Sequence, residues 1–254
     1  MAASQPEIIV VSNSEALSRT AADMIIGKIK EVLAHQEKFS LALAGGSTPK
    51  GLYSLLAESP EYCDHIPWQR IHFFWGDERH VPPDHAESNF HMASEAMLSK
   101  LPVPAENIHR VQAELPDAAK AASDYEQELK RFVRLDTQKL PRLDCVLLGM
   151  GPDGHTASLF PGTKALQEKR RLVVSNWVGK FNAHRITMTL PVLNNAAMVI
   201  FMISGKNKAE VLKDILEGEY RPELLPAQLI RPVHGRLAWL VDKAAAARLA
   251  HPPV

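Results

Sequence analysis

Residues Phe39 to Lys50 read FSLALAGGSTPK: an apolar run of strand type ends in two glycines and passes at once into Ser47, Thr48 and Pro49. A short continuous apolar run suits a strand covered on both faces. Thr48 with Pro49 behind it reads as the cap and first position of a helix, where a missing N–H costs nothing, and Leu52, Leu55 and Leu56 supply its inner face. The same join of strand, glycine and polar turn recurs in WGDERH (Trp75 to His80), LGMGPDGHT (Leu148 to Thr156) and SGKNK (Ser204 to Lys208). In an open parallel sheet the carboxyl ends of the strands lie along one edge, so turns far apart in sequence converge there. One pocket built by all four turns is therefore expected.

Further strand-like runs occur at Ile8 to Val11, Ile71 to Trp75, Asp144 to Leu148, Leu172 to Val174, Arg185 to Leu190, Met198 to Ile203 and Leu237 to Val241. Helical patterns alternate with several of them. The clearest opens at Ser14 as cap and sets Leu17, Ala21, Met24, Ile25, Ile29, Val32 and Leu33 on one stripe. Others are predicted over Asn89 to Leu98, Ala118 to Arg134, Lys208 to Glu217 and Lys243 to Leu249, with connecting loops between Pro60 and Pro67 and between Glu217 and Pro232. The fold class that follows is α/β: a Rossmann-like, doubly wound, mostly parallel sheet with helices on both faces. With 254 residues, 46% of them hydrophobic, a single domain over 1–254 is expected.

Lys plus Arg equals Asp plus Glu, 29 of each, so no net field draws in nucleic acid or an anionic membrane. The expected partner is a small molecule whose charge is met by locally placed cations. The two cysteines, Cys63 and Cys145, point to a reducing compartment, with Cys145 a buried thiol. MAASQPEIIVV at the amino terminus has no basic segment followed by a long apolar one, and a cytoplasmic protein is expected. For assembly the reading is a monomer, with a homodimer as the alternative.

The backbone N–H groups and hydroxyls of Gly45, Gly46, Ser47 and Thr48 can face an anion at the positive end of a helix, and phosphate is the natural guest. The same residues also fit a tight turn with an ordinary Thr cap, or a serine nucleophile, although G-G-S-T-P lacks the second glycine of a hydrolase elbow. Gly149 to Gly154 formally satisfies G-x-G-x-x-G, but Asp153 would put a carboxylate where a pyrophosphate belongs. Asp153 and His155, either side of Gly154 at a strand end and a helix start, instead suggest an imidazole general base with a carboxylate neighbour. Asp77, Glu78 and Arg79 follow the third strand, and Arg185 and Lys208 stand beside later ones, placed to grip a phosphate. His80, Asp84, His85, Glu87 and His91 crowd one stretch, but Pro82 and Pro83 break any helix that would align them, so no metal and no cofactor are expected.

Taken together, LALAGGSTPKGLY, FFWGDERHVPPDHAESNF, LLGMGPDGHTASLFPG, RITMTLPVLNNA, SGKNKAEVL and LPAQLIRP resemble the motifs of the 6-phosphogluconolactonase family, over nearly the whole chain. The resemblance implies a metal-free, nucleotide-free hydrolase that opens 6-phospho-D-glucono-1,5-lactone to 6-phosphogluconate in the pentose phosphate route. It implies His155 as general base beside Asp153, and Gly45, Gly46, Ser47, Thr48, Asp77, Arg79, Arg185 and Lys208 as the substrate-binding set around the phosphorylated sugar lactone. Glucosamine-6-phosphate deaminase shares the D-G-H core, but its isomerisation needs an acid in a block resembling F-N-E-P-G. Here Phe160 takes the place of that Glu, and a phenyl ring moves no protons. A non-catalytic sugar-phosphate sensor is the rival from another class.

Overall fold

Strands covered on both faces form where the apolar runs are continuous. The computed structural model describes residues 6–250; Met1 to Gln5 of the amino-terminal stretch and residues 251–254 of the expected domain span lie outside them. The strands are β1 (Glu7–Val11), β2 (Phe39–Leu43), β3 (Ile71–Trp75), β4 (Asp77–Arg79), β5 (Cys145–Leu148), β6 (Val173–Val178), β7 (Ala183–Met188), β8 (Met198–Ile203) and β9 (Arg236–Asp242). Six of them make one sheet in the order β1-β9-β8-β5-β2-β3, every neighbour parallel. The helices are α1 (Ser14–Leu33), α2 (Ser47–Glu58), α3 (Pro60–Cys63), α4 (Asn89–Ala96), α5 (Ala118–Phe132), α6 (Leu190–Leu193) and α7 (Ala209–Leu216).

Alternation along each strand divides the core in two. Leu41, Leu43, Phe73, Trp75, Cys145, Leu147, Ile200 and Met202 pack with α1, α2 and α4. Ala42, Phe74, Val146, Leu148, Val199, Phe201 and Ile203 pack with α5 and α7 on the other face. This is the doubly wound arrangement expected from the runs.

Two expected strands leave that sheet. β6 and β7, joined by β4, form a separate antiparallel sheet in the order β4-β7-β6. Asp77–Arg79 was not legible as a strand because its three residues are all charged; β7 holds it by backbone pairing. Other boundaries move for local reasons. Asn13, not Ser14, caps α1, its extended backbone letting the side chain accept the Ala16 N–H, and Met24 and Leu33 of the stripe are only partly buried. Gly46, at φ 106°, precedes α2, so Ser47 opens the helix and Pro49 stands third, still free of any need to donate. Lys243 to Leu249 yields only a 3-10 turn at Ala245–Arg248. The loop after Pro60 contains α3, and Pro226–Leu229 is another 3-10 turn.

The second sheet is tied to the first layer by one carboxylate. Glu126 on α5 accepts from Lys130 Nζ at 2.8 Å through one oxygen, and from Arg171 Nε and the Leu172 N–H, both at 2.9 Å, through the other. Burial pushes its carboxyl up, but these donors outweigh burial and hold it down to about 2. A depressed folded-state value means stability that is complete above the ordinary 4.5 and is lost as pH falls toward about 2. Glu126→Gln should therefore cost about 1–3 kcal/mol in urea unfolding at neutral pH, and should flatten the loss of stability across that acid window; an unchanged slope would exclude the clamp.

Candidate active site

The four glycine turns meet at the carboxyl edge of the six-stranded sheet, around one cavity of about 400 Å³. Its wall takes in the Gly45 to Thr48 turn, Asp77 and Arg79, the Gly149 to Pro152 run with His155, and Ser204 with Lys208. Of the expected catalytic and substrate-binding residues, Asp153 and Arg185 do not line it.

Each turn is held from behind. After β2, the buried Tyr53 hydroxyl donates to the Ala44 carbonyl at 2.8 Å and accepts its N–H at 2.9 Å, fixing the chain as it leaves the sheet. A Cβ on Gly45 would stand 1.9 Å from Asn89 Oδ1, so glycine admits the amide that in turn donates to the Asp77 carbonyl at 2.9 Å. Gly46 and Ser47 remain exposed at the amino end of α2. Glu78 accepts the N–H groups of Arg79, Asn89 and Phe90 at 2.7–2.8 Å and the Ser88 hydroxyl at 3.2 Å, anchoring α4 to β4; burial pushes its carboxyl up against those bonds. Asp77 accepts the Ser158 hydroxyl at 2.6 Å, which ties the central loop to β4. In the fourth turn, the Ser204 hydroxyl and the Gly205 N–H both reach Asp242 on β9.

No helix begins at His155. The chain from Gly149 to Thr163 is an irregular loop that closes on itself through Gly151 N–H to the His155 carbonyl at 2.9 Å and Thr156 hydroxyl to the Gly149 carbonyl at 2.8 Å. Gly154 at φ 74° and Ala157 at φ 47° make the reversals. This folding back, rather than a helical turn, brings His155 Nδ1 into a hydrogen bond with Asp153 Oδ1. The imidazole stacks on Phe160, ring centroids 4.0 Å apart and planes 25° from parallel. Asp153 Oδ2 accepts from Lys180 Nζ at 3.2 Å. Burial raises the Asp153 carboxyl, but the bonds from His155 and Lys180 prevail and hold it at about 2, so it is a carboxylate at any ordinary pH.

The cations are arranged around the cavity in two groups. Lys208 donates to the Met150 carbonyl at 2.9 Å, and burial lowers its ammonium from the ordinary value. Arg79 gives Nη1 to the Glu87 carbonyl at 2.7 Å, while its buried Nε has no partner among the described residues. Arg185 stands directly across the β4–β7 pair from Arg79, its guanidinium 5.2 Å over the Phe181 ring. Burial and the neighbouring Arg79 both lower Arg185. Like charges placed opposite on paired strands repel, and the nearby carboxylates of Asp77, Glu87 and Glu78 offset part of that repulsion at Arg185.

Sequence reasoning found Phe160 only as a missing acid and did not find Lys180, Phe181, Asn89 or Ser158. Lys180 and Phe181 lie in VGKFN, a turn without a motif, and only the folding of β6 and β7 brings them here. Among the described residues no group of His, Cys, Asp and Glu suits a metal; His80 is engaged with the Leu115 carbonyl, and His85 accepts the Glu87 N–H. Gly151 gives the sharpest local test. A Cβ there would fall 2.0 Å from His155 Nδ1 and 2.6 Å from Asp153 Oδ1. Gly151→Ala should separate the pair, read as a change in the His155 ring nitrogen shifts in a protein whose circular dichroism is unaltered.

The family model described as "Glucosamine-6-phosphate isomerases/6-phosphogluconolactonase" matches residues 12–239. The chain is similar to the 6-phosphogluconolactonase of Nostoc sp., 43% identical over 94% of this chain and 97% of that protein. It is also similar to the one of Homo sapiens, 39% identical over 99% of this chain and 97% of that one. Among solved structures, 6-phosphogluconolactonase from Trypanosoma brucei superposes with a TM-score of 0.85 at 30% identity, over 97% of this chain and 99% of that chain. Sequence, fold and the shared edge of glycine turns agree: the chain belongs to the glucosamine-6-phosphate isomerase/6-phosphogluconolactonase family.

Proposed function

We propose that the chain opens 6-phospho-D-glucono-1,5-lactone to 6-phosphogluconate, with His155 as the general base on water. The observation that carries this reading is the carboxylate-bound imidazole on the wall of a cavity whose other walls offer free helix-start N–H groups and cations. Asp153, held ionised, accepts a proton-bearing Nδ1, which leaves Nε2 as the nitrogen with a lone pair. The names of the relatives support the substrate class.

In this reading the phosphate sits at the Gly45 to Thr48 turn, with Arg79 and Lys208 on the wall of the same cavity. Arg185, beside Arg79 rather than on the cavity wall, turns toward the anion while its guanidinium stays over Phe181. Remote binding then becomes positioning of the ester carbon. His155 Nε2 takes a proton from water as the oxygen adds to the carbonyl carbon. The tetrahedral centre expels the ring oxygen, which receives that proton, and the carboxylic acid product ionises. General-base help of this kind is worth about a hundred- to ten-thousand-fold, enough for an already electrophilic ester without a covalent intermediate.

Phe160 argues against the isomerase branch of the family. Its ring lies flat against the imidazole where proton transfer along a sugar chain would need an acid. Asp77 acts here as a buried support for the central loop as well as part of the wall. The thiols of Cys63 and Cys145, both unbridged, fit the cytoplasmic setting read from the sequence, and no helix among the described residues is long and apolar enough to cross a membrane.

Acid release from freshly made phosphorylated lactone, with the spontaneous rate subtracted, should show turnover; its absence would leave a sugar-phosphate sensor. His155→Ala should lower kcat at least a hundredfold with KM little changed. Arg185→Ala and Lys208→Ala should raise KM for the phosphorylated lactone far more than for gluconolactone, and equal losses on both would remove these residues from the phosphate site.

A further inference from the structure

The turn between β6 and β7 reaches both halves of the site with two adjacent side chains. Lys180 Nζ donates to Asp153 Oδ2 at 3.2 Å, while the other oxygen of that carboxylate holds the His155 ring. Phe181 meets Phe160 edge-on at 5.7 Å, and Phe160 is the ring stacked on His155. On its other side Phe181 carries the Arg185 guanidinium at 5.2 Å. Among the described residues the Arg185 side chain makes no hydrogen bond, and the aromatic ring is its direct side-chain contact on this turn.

Stability does not explain this arrangement. Lys180 is 57% exposed and Phe181 45% exposed, and a pair of that kind contributes little to folding. What the turn does have is position. It joins the base pair to the guanidinium pair through one short piece of chain, its end set by Asn182 in the left-handed region at φ 48°.

We infer that the β6–β7 turn is a strap in which Lys180 is a positioning residue for the Asp153–His155 pair and Phe181 links that pair to Arg185, so that an anion in the phosphate site aligns the general base. The inference rests on the lactonase reading and extends it. With Arg185 held by a phosphate while it stays over the Phe181 ring, the turn settles against Phe160 and Asp153, and binding energy from the remote end of the substrate is converted into alignment at the ester. Linkage makes the effect mutual: a strap cut at Lys180 should also loosen the response to the anion.

Inorganic phosphite separates the two ends, since it fills the anion site without being attached to the lactone. With wild-type protein, phosphite should raise kcat/KM for gluconolactone. Lys180→Ala should lose that activation and should lower kcat on the phosphorylated lactone roughly tenfold, short of the hundredfold a misplacement of about 1 Å brings, with KM changed less than about twofold. Lys180→Arg should recover most of the loss. Phe181→Ala should also lose the phosphite effect. Melting temperatures should match the wild type throughout, since both side chains are exposed. No phosphite activation of the wild type, or activation intact in both alanine variants, would overturn the strap. If the wild type opens neither lactone, the lactonase reading falls. The strap is then judged by the His155 ring nitrogen shifts, which phosphite should move in wild type and not in Lys180→Ala; shifts that phosphite leaves unmoved in wild type, or moves equally in both, overturn it too.

Discussion

Every strand of the six-stranded sheet runs in the same direction, and this single constraint delivers the chain to one edge again and again. β2, β3, β5 and β8 each end there, and each is followed by glycine within two residues. The glycines matter at two points above the rest. At Gly45 the missing Cβ leaves room for the Asn89 amide, and at Gly151 it leaves room for the imidazole itself. A parallel sheet gathers the segments; close backbone approach lets their functional groups touch.

Around that edge, buried acids act as scaffold and cations remain for a ligand. Glu78 binds three backbone N–H groups, Asp77 the Ser158 hydroxyl, Asp242 the Ser204 turn, and Glu126 the start of β6. Carboxylates so engaged are satisfied acceptors and do not compete with an anionic guest for the cations. The opposed Arg79 and Arg185 are the reverse case, two positive groups brought face to face by strand pairing, with burial lowering Arg185. A protein with equal numbers of charges of each sign achieves local positive potential through this segregation.

An acid in place of Phe160 would serve an isomerase; the phenyl ring instead stacks on His155 and forms the first contact in a series that continues through Phe181 to Arg185. The resulting dyad has one imidazole, one permanently ionised carboxylate and no second acid stacked beside it.

The sequence by itself determined the main sheet, the helices that cover it and the convergence of four glycine turns, because continuous apolar runs and glycine breaks are local signals that need no partner to be read. It also supplied His155, Asp153, Arg79 and Lys208, since these stand within a few residues of such a break. Tertiary structure alone decided the second sheet, whose β4 is three charged residues that become a strand only when β7 pairs with them. It alone decided that the central loop folds back instead of entering a helix, that Arg185 rests on Phe181 rather than on the cavity wall, and that Lys180 holds Asp153. Those contacts join residues distant in sequence, and the geometry that makes them exists only once β6 and β7 have docked against the rest of the chain.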